Sequence, residues 1–282
     1  MKRSLSKLII TVLMFVTGAL MLCACNDIVD GIISLNYTNE SAYTVASEGE
    51  LSVSAIGLSI DVEWINGGVT VNVDSTLNGV RFHEVSEGEK PNNANTMRYL
   101  YDGNTLRIKY AKSGRTEIGK LKKFLYVSVP ANVWLADVDI DTVSGNVIVE
   151  NVNANKIDCE TVSASVSLNC TAHMVEAESV SGSVSIRGSV ADIDVETDSG
   201  LTSVFCDTAL NRLSVESVSG DVELGVFEQA GFLLSYDTIS GVFINAFSER
   251  TQRQGKFYVY NSGNSIYEID TVSGKLTIEE IE

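Results

Sequence analysis

Acidic side chains recur at one fixed position along the second half of the chain. Each stands immediately before a copy of a four-residue phrase of the type Thr-Val-Ser-Gly. The seven acids are Asp141, Glu160, Glu178, Glu196, Glu216, Asp237 and Asp270. Carboxylates held in one row repel each other, so such a row would attract divalent cations or basic peptides. The spacing marks a candidate binding face for these ligands, and an ordinary solvated surface is the alternative.

A second acid often stands two positions before the first. Asp139, Asp158, Glu176, Asp194 and Glu268 occupy this position, whereas Ser214 and Ser235 replace it in two copies. Residues 137–247 hold 18 acids and only three basic residues, Lys156, Arg187 and Arg212. In contrast, residues 107–123 hold seven basic residues and one acid. This basic segment is either a solvated strand-and-loop face or a contact for anionic lipid or cell-wall polymer.

Other residue types give little sign of catalysis. His83 and His173 have no second histidine or cysteine at a metal-ligand spacing. The serines recur in one repeated role, and no glycine-rich phosphate loop is present in the sequence. We therefore expect no cofactor and no enzyme, although two of the many carboxylates could still act together in polysaccharide cleavage.

The phrase itself reveals the architecture. It begins at residues 142, 161, 179, 197, 217, 238 and 271, at intervals of 19, 18, 18, 20, 21 and 33 residues. Each copy lies between two segments in which apolar and polar residues alternate, which is typical of strands with one buried face. A period of about 20 residues is typical of a solenoid. The sequence predicts an all-β, parallel β-solenoid of about seven coils over residues 136–282.

Several details follow from this register. Ile186 and Val195 should point into the core, and Arg187 and Glu196 should point outward. The glycine of each phrase should mark a corner, through either a close approach or a positive φ angle. The Thr or Ser that heads each phrase should form a ladder of hydroxyls along the stack. The three remaining cysteines fall at apolar positions and are interpreted as small buried hydrophobes; they are Cys159, Cys170 and Cys206. One disulfide between two of them is the alternative.

Residues 41–135 are rich in β-strand patterns and are predicted to form an N-terminal cap, outside the register of the coils. Two alternating segments around Asn66-Gly67-Gly68 indicate a hairpin there. A second hairpin is expected in the long sixth interval, between the segments Phe257–Tyr260 and Ser265–Asp270. An uncovered solenoid end would promote aggregation, which is why a cap is needed.

The first 24 residues resemble a lipoprotein signal peptide. Lys2, Arg3 and Lys7 precede an apolar run of about 15 residues, which is short for a membrane span of about 20 residues. The run ends in Leu22-Cys23-Ala24-Cys25, similar to a lipobox in which Cys25 receives the lipid. Residues 25–40 would then be a tether. A plain cleaved signal peptide with a chance cysteine is the alternative.

Composition narrows the classes of partner. Removal of residues 1–24 reduces 20 basic residues to 17 and leaves 37 acids, for a net charge of −20. Such a chain is unsuited to nucleic acid, whose phosphates require Lys and Arg. Abundant Val, Ile, Thr and Ser, with only two prolines, favour β structure.

Three features together resemble the putative-adhesin domain of unknown function from bacterial envelope proteins. They are the repeated phrase, the strand Tyr126-Val-Ser-Val-Pro130 before the first copy, and the closing segment Asp270 to Ile278. The resemblance covers about residues 45–282 and implies a β-solenoid at the cell surface.

The expected protein is a non-enzymatic, extracytoplasmic lipoprotein held at the membrane by its lipid. Its expected role is adhesion or interaction with the envelope. Basic peptides, divalent cations and envelope polymers are the candidate partners. Two alternatives remain, namely a sensor or decoy for cationic antimicrobial peptides in envelope stress, and a polysaccharide-active enzyme.

Overall fold

The computed structural model describes residues 35–52, 57–114, 121–131 and 133–281. The predicted signal peptide, Cys25 and most of the tether lie outside these residues. No helix in the described part is long and apolar enough to span a membrane.

The described chain consists of β-strands joined by turns and loops, with one turn of 3-10 helix at Glu40–Ala42. The strands before the first complete phrase are β1 (Thr44–Val45), β2 (Glu48–Leu51), β3 (Ser59–Val73), β4 (Val80–Ser86), β5 (Arg98–Asp102), β6 (Thr105–Lys109) and β7 (Lys123–Val129). The next are β8 (Trp134–Thr161), β9 (Val166–Ser179), β10 (Val184–Thr197), β11 (Thr202–Cys206), β12 (Arg212–Ser217) and β13 (Val222–Phe227). The last are β14 (Phe232–Thr238), β15 (Phe243–Asn245), β16 (Thr251–Gln254), β17 (Phe257–Tyr260), β18 (Ser265–Thr271) and β19 (Leu276–Ile281).

The strands of the coils stack in parallel and in register along two columns. The first column contains the segments before each phrase, and the second contains the segments after it. Strands β8, β9 and β10 pair over both columns, with Val147 opposite Val166 and Val166 opposite Val184. The all-β, parallel solenoid that the repeats predict is confirmed.

Alternation of side chains places one face of every rung in a continuous apolar core. Ile186 and Val195 are fully buried, whereas Arg187 is exposed and Glu196 is half-buried. The predicted inward and outward positions are therefore confirmed. The same core runs from Leu58 in the first described segments to Ile278 near the end of the chain.

Hydroxyl groups at the corners work differently from the predicted ladder. The head residue of each phrase bonds within its own coil: the N–H of Gly182 donates to Ser179 Oγ over 2.7 Å, and that of Gly274 donates to Thr271 Oγ1 over 2.7 Å. Most links along the stack come instead from the third residue, as when Ser181 Oγ donates to the carbonyl of Val162 over 3.3 Å. Among the described residues, Thr197 Oγ1 and Ser217 Oγ, 3.5 Å apart, form the one contact of the predicted ladder. The reason is distance, because a head hydroxyl lies closer to the backbone N–H at the end of its own phrase than to the hydroxyl of the next coil.

Close packing explains the glycine of the phrase. A Cβ atom on Gly200 would overlap the carbonyl oxygen of Gly182 in the preceding coil. The phrase glycines do not adopt the left-handed backbone conformation. Of the two reasons expected for glycine at the corner, close approach is the one that applies.

The hairpin predicted at Asn66-Gly67-Gly68 is wrong. Strand β3 continues through these residues, and Gly67 lies opposite Gly145 of the first phrase. The glycines form a corner of the stack instead of a reversal of the chain, so β3 is in register with the coils. Antiparallel pairing of β4 with β7 and of β5 with β6 covers this end of the solenoid. The division of the chain at residue 135 stays a prediction.

At the other end the strands do not follow sequence order. Strand β18 lies between β12 and β14, and β19 lies between β13 and β15. The hairpin predicted between residues 257–260 and 265–270 is wrong, because β17 pairs antiparallel with β14 and β16. Residues 265–281 therefore fill an interior rung.

The three cysteines at apolar positions are buried and unpaired, as small hydrophobes would be. Cys170 and Cys206 both lie opposite Gly188, on either side of it. Two rungs separate their Cα atoms by about 10 Å. A disulfide requires less than about 7 Å, so these two cysteines cannot be bridged in this fold.

Candidate acidic face

Outward-facing acids of the first column form two parallel rows, which together we call the acidic face. The first row runs in spatial order through Glu63, Asp141, Glu160, Glu178, Glu196, Glu216, Asp270 and Asp237. All seven acids singled out in the sequence therefore lie in this row. Asp270 precedes Asp237 because β18 is inserted before β14.

Glu63 belongs to this row but was missed by the sequence reasoning. It lies directly opposite Asp141. The signal was present, since Ile60-Asp61-Val62-Glu63 has the same alternation as the later coils. Trp64 at the head position and Gly67-Gly68 at the corner concealed the match to the phrase.

The second row contains the acids two positions earlier in each coil. Its spatial order is Asp61, Asp139, Asp158, Glu176, Asp194, Ser214, Glu268 and Ser235. The two rows lie on the same strands, so a carboxylate has acidic neighbours both along its own strand and across the rungs. Adjacent rungs of a sheet are about 4.8 Å apart.

Crowding is strongest at the end of the stack nearest β3. Loss of solvent around Asp141, followed by the charges of Asp139, Glu160 and Glu63, raises the pKa of Asp141 to about 8. The same effects, with Asp158 and Asp61 as the main charges, raise the pKa of Asp139 to about 6. The loss of solvent is only partial, because both residues remain exposed at the surface, where cations can reach them.

The crowding continues along the row. Partial burial raises the pKa of Glu178, and the charge of Glu196 on the next rung adds to it. Partial burial also raises the pKa of Glu196, and the charge of Glu216 adds to it. The pKa of Glu216 is raised in the same way, by partial burial and then by the charge of Asp270. Each carboxylate thus interacts with the next, as a continuous row requires.

Basic residues neutralise only certain parts of the face. At the β3 end, Lys109 Nζ lies 3.0 Å from Asp61 Oδ1 and 2.6 Å from Glu63 Oε1. In the second row, Lys156 Nζ lies 2.8 Å from Asp158 and 2.5 Å from Glu176. Further along that row, Arg212 pairs with Glu268 at 3.1 Å.

Much of the basic segment 107–123 forms ion pairs with acids of the same chain. Lys109 and Arg107 pair with acids of β3, and Lys122 pairs with Glu87 at 2.9 Å. Lys123 is fully buried, with Nζ 2.6 Å from Glu84 Oε2 and the ring of Tyr110 beneath it. These four residues act as counter-ions within the fold, a role that neither interpretation of the segment included.

The middle of the first row lacks such counter-ions. Within the described ranges, no Lys or Arg forms an ion pair with Glu160, Glu178, Glu196 or Glu216. Nor does this part of the chain contain three Asp, Glu, His or Cys side chains arranged to hold a metal ion. The carboxylates point outward in a line and do not converge on one point, so the row is suited to a ligand with several separate positive charges.

The histidines lie away from this face. His83 stacks on Tyr126 with ring centroids 5.0 Å apart, and His173 lies 5.4 Å from Trp134. Tyr126 belongs to the second column, on the opposite side of the corner from the acids.

Several solved structures resemble the chain at low sequence identity. A putative adhesin from Bacteroides fragilis is 13% identical, with a TM-score of 0.43 and coverage of 82% of this chain and 96% of that one. A putative cell adhesion protein from Clostridium sporogenes is 11% identical, with a TM-score of 0.38 and coverage of 83% and 99%. A putative lipid binding protein from Parabacteroides distasonis is 13% identical, with a TM-score of 0.35 and coverage of 83% and 96%.

No functionally curated protein matches the chain. A protein-family model does, over residues 58–224, which is more than half of the sequence. The matched region contains β3 and the coils from β8 to β12, with all but two of the acids of the first row. The chain belongs to the Toastrack DUF4097 family.

Proposed function

We propose that the protein is a non-catalytic surface module that binds polycationic partners through its acidic face. Its role would be adhesion or interaction with the envelope, in a lipoprotein anchored through Cys25. The observation that supports this most is the run of Glu160, Glu178, Glu196 and Glu216 without ion-pair partners among the described residues. A polycation that covers this run would reduce the mutual repulsion of its carboxylates.

A basic peptide or polyamine fits this row better than a chelated metal ion. Divalent cations such as Ca²⁺ require six to eight oxygen ligands converging at 2.3–2.6 Å. The row offers single carboxylates about 4.8 Å apart, each on a different rung. Divalent cations would therefore associate loosely with the face, whereas a chain of amines can contact several rungs together.

Cationic antimicrobial peptides present the same chemistry, so a sensor or decoy for such peptides is the second candidate. The unpaired glutamate row favours both roles equally. The two roles predict different results in cells. A decoy would raise the concentration of cationic peptide needed to kill the cells, and removal of the charges of the glutamate row would lower that concentration again. An adhesion module would instead lose attachment to basic surfaces while peptide sensitivity stayed unchanged.

The direct test measures binding of poly-lysine by titration calorimetry at low and high salt. We expect salt-sensitive binding by the wild-type protein. The variant with Glu160→Gln, Glu178→Gln, Glu196→Gln and Glu216→Gln should bind at least about tenfold more weakly, a loss of about 1.4 kcal/mol.

A matched control removes four exposed acids outside the face, through Glu48→Gln, Glu89→Gln, Glu249→Gln and Glu279→Gln. It changes the net charge by the same amount and should retain most of the binding. Equal weakening in the two variants would mean that only net charge matters, and the proposed site would be wrong.

A further inference from the structure

The opposite column presents a surface of very different composition. We call the outward positions of the second column, from β3 to β11, the polar face. They are Gly68, Thr70, Asn72, Asn146, Ile148, Glu150, Ser165, Ser167, Asn169, Ser183, Ser185, Arg187, Leu201, Ser203 and Phe205. Only Glu150 and Arg187 carry charge. On the same rungs, both outward positions of the first column are acidic.

Solubility alone does not account for this contrast. The same coils use Asp and Glu on one side of the corner and Ser and Asn on the other. Asparagine is a poor strand former, so strand propensity does not select it. Threonine would keep this face polar with a better propensity for strands.

The hydroxyl groups of the polar face are not used by the fold. Ser167, Ser185 and Ser203 lie on three successive rungs, each directly opposite the next. None of the three hydroxyls has a hydrogen-bond partner within the described residues, in contrast to the corner serines such as Ser181 and Ser219. A hydroxyl both donates and accepts, so the row can bond a ligand rich in hydroxyls.

Aromatic rings lie across the surface at both ends of this field. The ring of Phe124 covers Gly68, where a Cβ atom would come 3.3 Å from its Cδ1. The ring of Phe205 covers Gly225 in the same way, with its Cδ1 2.5 Å from the position of a Cβ atom. Glycine on the neighbouring rung thus leaves room for each ring to lie along the sheet.

The two rings define the length of the surface. Five rungs separate β7, which holds Phe124, from β11, which holds Phe205. This corresponds to about 24 Å along the stack. Phe124 is in line with Gly68, whereas Phe205 is in line with Asn72, four residues or about 13 Å further along the strand. The line that joins the two rings is therefore about 27 Å long and crosses the polar face diagonally, enough for several sugar rings in a row. The guanidinium of Arg187 lies 5.5 Å from the centre of the Phe205 ring and provides further donors at that end.

We propose that the polar face binds an extended, uncharged polysaccharide that crosses the face diagonally from Phe124 to Phe205. Apolar faces of sugar rings would pack on Phe124 and Phe205, and sugar hydroxyls would bond to the serines and asparagines between them. An uncharged polymer avoids the repulsion that a polyanion would meet from a chain of net charge −17. A polycation would be drawn to the acidic face instead.

The proposal is tested by native gel electrophoresis of the whole chain in mild detergent. The gels would contain hydroxyethylcellulose, galactomannan, yeast mannan or dextran. We expect at least one polymer to retard the wild-type protein. Ser185→Glu and Phe205→Ala should each weaken the retardation about tenfold or more in polymer concentration, whereas Phe205→Tyr should retain it.

Controls separate this site from the acidic face and from misfolding. The four Glu→Gln changes of the first row should leave the retardation intact, and circular dichroism should show the same melting for Ser185→Glu and the wild type. Retardation by none of the four polymers, or retardation that survives both polar-face variants, would overturn the proposal. A third outcome is that the wild-type protein binds no polymer but self-associates, and that both variants lose this self-association. The polar face would then be an interface between two copies of the chain.

Discussion

Single residues of the acidic face couple protonation to folding. The pKa of Asp139 rises to about 6 and that of Asp141 to about 8, because solvent is lost and acids surround them. In the unfolded chain both groups titrate near about 3.9. Between these values the folded protein binds more protons than the unfolded chain.

The sign of the pH dependence follows from this difference. The contribution of these two groups to the stability of the folded state is fully present below about pH 4. It is lost as the pH rises through about 6 and 8. We therefore expect a higher melting temperature at pH 5.5 than at pH 8.5. The pair Asp139→Asn and Asp141→Asn should raise the melting temperature at pH 8.5 and flatten the profile. A wild-type protein that is more stable at pH 8.5 would contradict the assignment.

Thr202 gives a second test at this scale. Its side chain is fully buried, and its Oγ1 has no hydrogen-bond partner. Its neighbours across the rungs are Val184 and Val222. Thr202→Val should stabilise the protein by about 1–2 kcal/mol, because it removes an unsatisfied buried hydroxyl.

Thr161 is the matched control, since its Oγ1 accepts from the N–H of Ala164 over 3.1 Å. Thr161→Val should destabilise the protein by about 1 kcal/mol. Urea denaturation measures both changes. Equal signs for the two variants would show that the hydroxyls do not act as described.

At the scale of elements, the corner determines how closely coils can approach. Gly200 sits where any Cβ atom would overlap the carbonyl oxygen of Gly182. Gly200→Ala should push two rungs apart and cost about 2–4 kcal/mol in denaturant unfolding. Gly103→Ala meets open space but a positive φ angle, and should cost about 1 kcal/mol. An equal or smaller loss at Gly200 would argue against packing as the reason for the phrase glycine.

Local pattern was sufficient for the strands and for the row of carboxylates. Alternation predicted the faces of Ile186 and Glu196, and the phrase predicted the register that aligns Glu160 with Glu178. The order of rungs at the end was not predictable in this way. Residues 237–241 and 270–274 carry nearly the same phrase, so either could follow β12 by local criteria. The order depends instead on the connection through β16 and β17.

At the scale of the whole molecule, the capped end lies beside Leu35, the first described residue. The N–H of Gly114 donates to the carbonyl of Leu35 over 2.7 Å, so the described chain begins beside the loop that follows β6. Residues 25–34 could span at most about 35 Å when fully extended. With a lipid at Cys25, the capped end would stay near the membrane and the later coils would be free to extend away.

The anchor itself is tested by Cys25→Ala. We expect this variant to appear in the soluble fraction after membranes are washed at alkaline pH, because the lipid is the only hydrophobic attachment proposed. Wild-type protein should remain with the membranes. Cys23→Ala is the control and should behave as the wild type. Retention of the Cys25→Ala variant in washed membranes would refute the lipobox.

The inserted final rung has a consequence for the timing of assembly. Residues 232–245 are synthesised before residues 265–281, yet the later segment must enter between them and β12–β13. If the earlier coil closed onto β13 first, Asn245 would take the place of Ile278, whose side chain is 1% exposed in the core. The amide of Asn245 donates to Thr251 Oγ1 and accepts from the N–H of Phe247, so that closure would put a polar side chain where the core holds an apolar one, which is unfavourable. A polar residue at one apolar position thus disfavours closure of the stack before the rung that belongs there has been made.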